Sequence, residues 1–248
     1  TTYWKGTIIK PNKKDNEIFM IPDSREGWVQ SVQRLLSSYI DSPRFGKNKY
    51  PIFDYNRIRP KGSLIKGFGG IASGHEPLKQ LHLLIENFCD SLCEEKIDHV
   101  RFITDVFNAI GTCVVAGNVR RSAEMAMGYV DKTFLDLKNY DKNPERSKIG
   151  WISNNSVVLK SDHNYDDFTN IPELAKYIAT NGEPGIINLV NIQKFSRYGK
   201  LNHDHATMTN PCGEIPLSNY ETCNLAEVFP TRCKDPEQFF QAIRYATF

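Results

Sequence analysis

Apolar residues recur in this chain at two different periods, and the two alternate. Trp28, Val32, Leu35, Leu36, Tyr39 and Ile40 fall at helical spacing. So do Leu78, Leu81, Leu84, Ile85, Phe88 and Leu92, and then Val100, Ile103, Val106, Phe107 and Ile110. Apolar segments around 124–130, 149–159 and 185–190 read as strands, with a helix over 172–180 between the last two. Strands alternating with helices predict a mainly parallel α/β architecture whose loops carry the site. Local signals agree. Asp23 or Ser24 offers an N-cap with Glu26 in capping-box style, Pro43 and Gly46 end that helix, and Pro77 falls in the first turn of the next. A last helix covers 237–248, with Phe239-Phe240 expected in its core.

Charge and composition narrow the function classes. Lys and Arg total 31 against 29 Asp and Glu, too even a balance for a dedicated binder of nucleic-acid strands or membrane surfaces. No apolar run approaches the roughly 20 residues that span a bilayer. Six cysteines in 248 residues do not make a disulfide scaffold. Without repeats or low-complexity tracts, residues 1–248 read as one domain or part of one, opening with an extended segment over 1–22. The chain starts at Thr1 and stops at Phe248 within a helical pattern, which reads as a piece of something longer.

The chemistry concentrates in Thr209-Asn210-Pro211-Cys212-Gly213-Glu214-Ile215-Pro216-Leu217, followed by Glu221-Thr222-Cys223-Asn224-Leu225. In an extended segment Asn210, Cys212 and Glu214 point to one side, so an amide, a thiol and a carboxylate can converge on one ligand. Pro211 and Gly213 restrict the loop and keep bulk from the thiol. A carboxylate beside a thiol disfavours a thiolate nucleophile, and no His–Cys pairing accompanies it. A neutral thiol suits hydrogen-atom chemistry, with the carboxylate free to act as a base on a hydroxyl.

Asn-Pro-Cys-Gly-Glu, with Cys-Asn-Leu eleven residues on from the first Cys, resembles the ribonucleotide reductases. The resemblance implies a partial ten-stranded α/β barrel with an active-site finger loop. By position it makes Cys212 the thiyl-radical residue that removes the ribose 3′ hydrogen and Glu214 the base on the 3′-hydroxyl. Asn210 becomes the amide that holds the substrate hydroxyls. Cys223 becomes half of the dithiol that delivers two electrons as the 2′-hydroxyl leaves as water.

Two upstream segments strengthen the resemblance. The run from Asn56-Arg57-Ile58-Arg59-Pro60-Lys61-Gly62-Ser63 through Lys66-Gly67-Phe68-Gly69-Gly70 is similar to the family's first specificity loop. Gly117-Asn118-Val119-Arg120-Arg121-Ser122-Ala123 is similar to its second. In the family these loops couple a deoxynucleotide effector to substrate choice. Glycines that allow close backbone approach and guanidiniums that suit phosphates fit that task. The region 56–130 thus holds the specificity loops, and 209–225 the active-site loop and redox strand. The wording of these segments is most similar to adenosylcobalamin-dependent ribonucleoside-triphosphate reductases, in which cobalt–carbon homolysis makes the radical. The implied partners are a ribonucleotide, a deoxynucleotide effector and a thioredoxin-like or other dithiol reductant. The implied location is a reducing, cytoplasmic one.

Other clusters carry less. Cys89 and Cys93, four apart with His82 upstream, lack a second pair at zinc-ligand spacing and read as helix thiols. Cys113 reads as packing, and Cys233 has no supporting pattern. His203 and His205 flanking Asp204 read as a polar loop. None of Cys89, Cys93 and Cys113 matches the place of Cys223's partner, which the resemblance puts outside this chain. A polypeptide of this length is therefore expected to lack turnover by itself. Competing readings are the same chemistry driven by a separate metal-radical subunit, a non-catalytic nucleotide-binding module, and a structural Cys/His metal domain.

Overall fold

A computed structural model describes residues 7–41, 49–65, 69–117, 121–159, 171–199 and 201–247. The backbone gathers into two compact units, 1–190 and 191–248.

In the first unit, β1 (Thr7–Ile8) pairs antiparallel with β3 (Ile40–Asp41), and β2 (Asn16–Met20) pairs parallel with β4 (Tyr50–Asp54). Helix α1 (Arg25–Ser38) lies between β2 and β3 in sequence. Ser24 is its N-cap, its Oγ accepting from Gly27 N–H at 3.0 Å. The expected capping box does not close, because with Ser24 as N-cap the third helical position is Gly27, and the Glu26 carboxylate takes the Arg25 guanidinium. Helix α1 also ends sooner than its apolar spacing suggests. Tyr39 is the C-cap and Ile40 enters β3, where the ladder to β1 outcompetes another helical turn. Pro43 and Gly46, the expected stops, lie outside the described residues.

Helices α2 (Glu76–Cys93) and α3 (His99–Val115) complete this layer. The stripe Leu78, Leu81, Ile85 and Cys89 of α2 meets Ile21, Leu35, Tyr39 and Ala109 in one core. The α2 stripe is interrupted by a buried imidazole. His82 Nε2 lies 2.8 Å from Ser31 Oγ, and its Nδ1 lies 2.8 Å from the Tyr55 hydroxyl. Ser31 spends its one hydroxyl proton on the Trp28 carbonyl at 2.7 Å. Nε2 must therefore carry the ring proton and donate to Ser31, leaving Nδ1 to accept from Tyr55. The Phe53 ring stacks on the imidazole at 4.0 Å, and burial pushes the His82 pKa down to about 4.

A pH dependence follows. The unfolded chain protonates this histidine near the ordinary pKa of about 6.5. His82 therefore contributes its full stability above pH 6.5 and loses it as pH falls toward 4, a loss of about 3 kcal/mol. Denaturant melts from pH 7.5 to 4.5 should show that slope, and His82→Gln should flatten it by most of that amount. Parallel pH profiles for the two proteins would contradict the assignment.

The second layer of this unit is a parallel sheet in the order β5-β6-β7, formed by β5 (Glu124–Gly128), β6 (Ser153–Leu159) and β7 (Gly185–Asn188). The expected strand over 149–159 begins four residues late. Gly150–Ile152 form a 3-10 turn whose glycine sits against the Tyr140 hydroxyl, where a Cβ would come within 2.8 Å. Helices α4 (Lys132–Asp136) and α5 (Ile171–Asn181) cover the sheet through Phe134, Leu135, Leu137 and Leu174, which pack on Val157. At Gly128 a Cβ would fall 2.6 Å from the Phe134 ring, so the ring lies flat on bare backbone. The parallel pairings bear out the α/β expectation, and among the described residues no sheet closes into a barrel.

The second unit contains the end of α6 (Leu189–Phe195), the two-stranded hairpin β8 (Met208–Thr209) and β9 (Pro216–Leu217), and α7 (Pro236–Thr247). Phe239-Phe240 do not form a core. No residue of α7 is buried and Phe240 is 64% exposed, because nothing in this unit covers its apolar face.

Candidate active site

The hairpin places the predicted chemistry. Strands β8 and β9 pair Met208 with Leu217 and Thr209 with Pro216, and Thr207 N–H donates to the Leu217 carbonyl at 3.0 Å. Between them the chain is not extended but turns at Pro211-Cys212-Gly213. Gly213 N–H donates to the Asn210 carbonyl at 3.0 Å, with Gly213 at φ 91°. That left-handed backbone is where glycine is favoured, so the turn depends on it.

The turn changes which groups meet. Asn210 is buried, and its Nδ2 donates to Glu214 Oε1 at 2.8 Å and lies 3.7 Å from Cys223 Sγ. Its Oδ1 accepts from Ile215 N–H at 2.9 Å. The amide is thereby the hub that joins the carboxylate to the second thiol. Cys212 is exposed at the tip of the same turn, and Glu214, two residues on, is exposed as well. A Cβ added at Gly213 would meet nothing within 4 Å, so the turn is open on that side.

A second tier of polar contacts lies below the hairpin. Arg197 grips Asp204 with two bonds, Nε to Oδ2 at 2.8 Å and Nη2 to Oδ1 at 2.6 Å. Its Nη1 donates to Glu221 Oε2 at 2.7 Å. The Arg197 guanidinium holds the Asp204 carboxyl down at about 2, while the Ser218 N–H and then Arg197 hold Glu221 below the usual carboxylate range. Sequence reasoning gave none of these residues a role. The alternation that could have exposed Asp204 is present, since His203 and His205 are exposed while Asp204 and Ala206 are buried.

The glycine-rich segments of the first unit also come together. Leu64 bridges Ile71 antiparallel, Ala72 N–H donates to the Ser63 carbonyl at 2.8 Å, and Gly69 and Gly70 take φ 73° and 94°. Gly74 is required there, since a Cβ would lie 3.0 Å from the Lys61 backbone nitrogen. Gly117, at the start of the second segment, lies against Ser73, with 3.5 Å between its would-be Cβ and the Ser73 Cβ. Arg121 is exposed, and Lys66, Gly67 and Arg120 lie outside the described residues. Just beyond Arg121, burial pushes the Glu124 carboxyl up to about 7. Among the described residues no three His, Cys, Asp or Glu side chains are grouped to hold a metal ion, and no helix is long and apolar enough to cross a membrane.

The first unit thus holds α/β layers and the second a thiol-bearing hairpin, and sequence comparison gives the class. Residues 140–248 match the barrel domain of ribonucleotide reductase, and residues 4–88 match the insertion domain of B12-dependent ribonucleotide reductase. The chain belongs to the ribonucleotide reductase family. It is 44% identical to a probable adenosylcobalamin-dependent ribonucleoside-triphosphate reductase of Dictyostelium discoideum, over 92% of this chain and 29% of that protein. It is 43% identical to the adenosylcobalamin-dependent ribonucleoside-triphosphate reductase of Euglena gracilis, over 97% of this chain and 33% of that protein. A crystal structure of a B12-dependent (class II) ribonucleotide reductase superposes with a TM-score of 0.73 at 33% identity, covering 93% of this chain and 30% of that one. The chain thus spans about a third of the length of the relatives it matches.

Proposed function

We propose that this chain supplies the radical thiol, the base and one redox thiol of an adenosylcobalamin-dependent ribonucleoside-triphosphate reductase. The observation that carries the reading is the Asn210 amide, which joins Glu214 and Cys223 from the same hairpin whose turn carries the exposed Cys212. Residues 140–248 then form part of a catalytic barrel, and residues 4–88 part of an insertion domain, in a longer enzyme.

The chemistry balances with these groups. Cys212, having lost its hydrogen atom, takes the 3′ hydrogen from the ribose and becomes a thiol again. Glu214 accepts the proton of the 3′-hydroxyl, and Asn210 orients that face of the sugar. The 2′-hydroxyl leaves as water while Cys223 and a partner thiol outside this chain give up two electrons and two protons and join as a disulfide. The 3′ hydrogen then returns to carbon from Cys212, and Glu214 gives its proton back to the 3′ oxygen. A dithiol reductant of the thioredoxin kind reopens the disulfide, which requires a reducing compartment such as the cytoplasm.

Cys212 is exposed at the turn, so it is the residue that a radical-generating cofactor would have to reach. When bound, adenosylcobalamin supplies the homolytic chemistry that removes the thiol hydrogen. The contact between Ser73 and Gly117 supports a role for Gly69, Gly70 and Arg121, with Lys66, Gly67 and Arg120, in linking a deoxynucleotide effector to substrate choice.

The test uses the full-length chain. Added adenosylcobalamin should switch on conversion of ribonucleoside triphosphates to deoxynucleotides with a dithiol present and no second protein. Activity that needs a separate metal-radical subunit instead would replace this reading with its nearest competitor. Nucleotide binding without any reduction would favour a non-catalytic module.

A further inference from the structure

Resting on that reading of the site, we propose that Arg197 is a positioning residue that holds Cys223 against Asn210, acting through Glu221. Cys223 follows a turn over Ser218-Asn219-Tyr220-Glu221 in which Tyr220, fully exposed, takes φ 66°. A bulky side chain in the left-handed region costs of order 1 kcal/mol or more and persists only where its surroundings enforce it. Tyr220 packs on nothing, so the enforcement comes from its neighbour. Glu221 Oε2 accepts from Ser218 N–H and from Arg197 Nη1, each at 2.7 Å, closing the turn from the side-chain side.

Arg197 can act as a strut because its other edge is fixed. The fork onto Asp204 is charge-assisted and bidentate, the strong geometry for a guanidinium. Asp204 is buried, its Oδ1 also accepts from Ala206 N–H at 2.9 Å, and its own N–H donates to the Gln193 carbonyl at 2.9 Å. One residue on from Ala206, Thr207 opens the hairpin ladder. One guanidinium thus ties the base of the thiol hairpin to the turn that delivers the second thiol. The exposed half of the pairing has little worth as a surface ion pair. Its value is geometric.

The experiment compares Arg197→Ala, Arg197→Lys and Glu221→Gln in the full-length chain with two readouts. Cys223 is itself exposed and only its Asn210 side is covered, so iodoacetamide labelling of Cys223 relative to Cys212 should rise by up to about fivefold in Arg197→Ala and Glu221→Gln, the limit set by one hydrogen bond. Arg197→Lys, which keeps a cation for Glu221, should recover most of the protection. In the same variants kcat should fall about 100-fold with the nucleotide KM unchanged, as expected for a group displaced by about 1 Å. A labelling ratio unchanged in folded Arg197→Ala and Glu221→Gln overturns the proposal. Equal increases at both thiols overturn it as well, since they mean general loosening. If Arg197→Ala does not fold, Glu221→Gln decides alone. The labelling ratio does not depend on turnover, so a failure of the reductase reading is seen separately, in the Cys212 variant.

Discussion

Cys212→Ser in the full-length chain should lose ribonucleotide reduction while binding nucleotide as before. Serine keeps the size of cysteine and the exposed place at the turn tip, where Gly213 and the Asn210–Gly213 hydrogen bond, not the thiol, set the backbone. Asn210 and Glu214 stay joined, so the groups that would meet a sugar are unchanged. What changes is the bond to be broken. An O–H bond is much stronger than an S–H bond, and each 1.36 kcal/mol added to a barrier costs tenfold in rate, so reduction should fall by about 10,000-fold or more. Nucleotide Kd should stay within about twofold, since one exposed hydroxyl replacing a thiol loses no buried contact. Product formation by Cys212→Ser at a measurable fraction of the parent rate would remove Cys212 from the radical role. An ionic mechanism with Cys212 as nucleophile is separated by the same variant, because serine could still add slowly to an electrophile and leave a covalent adduct.

The sequence made the α2 stripe and the parallel pairings legible, because each follows from periodicity that the chain carries locally, whereas on α3 Val100, Ile103 and Phe107 are exposed and only Val106 of that stripe is buried. Leu78, Leu81 and Ile85 are core positions that spacing alone identifies. The end of α1 was not legible, since Tyr39 and Ile40 fit the helical period and only pairing with β1, more than thirty residues away, takes Ile40 into a strand. The site divides in the same way. Asn210, Cys212, Glu214 and Cys223 are readable as residue types at fixed spacing. Their geometry is not, because Gly213 at positive φ turns an extended segment into a tight loop in which Asn210 bonds Glu214. Arg197 and Glu221, 24 residues apart, become neighbours only through the fold, and no spacing rule links them.

Asp105→Ala should be the most destabilising single change outside the site. Asp105 and Arg146 are both 1% exposed and meet through Nε and Oδ1 at 2.6 Å, joining α3 to the turn that precedes β6. Arg101, four residues before Asp105 on the same helix, adds a second guanidinium at 3.2 Å and reaches Asn143 and Glu145 beyond. Removing Asp105 leaves the Arg146 guanidinium buried without a counter-charge, a cost of about 3–5 kcal/mol. Arg101 is partly exposed and can turn to water, so it adds little to that cost. The pair itself is a different quantity from its breakage. Both terminal nitrogens of Arg146 lack a hydrogen-bond partner among the described residues, so its desolvation is incompletely repaid. Replacing both partners by apolar residues of similar size, Asp105→Leu with Arg146→Met, should therefore recover most of the loss and return stability to within about 1 kcal/mol of the parent. Denaturant melts of the single and double variants measure both numbers. A double variant as unstable as Asp105→Ala would mean that the ion pair, and not the avoidance of an unpaired charge, holds α3 to β6.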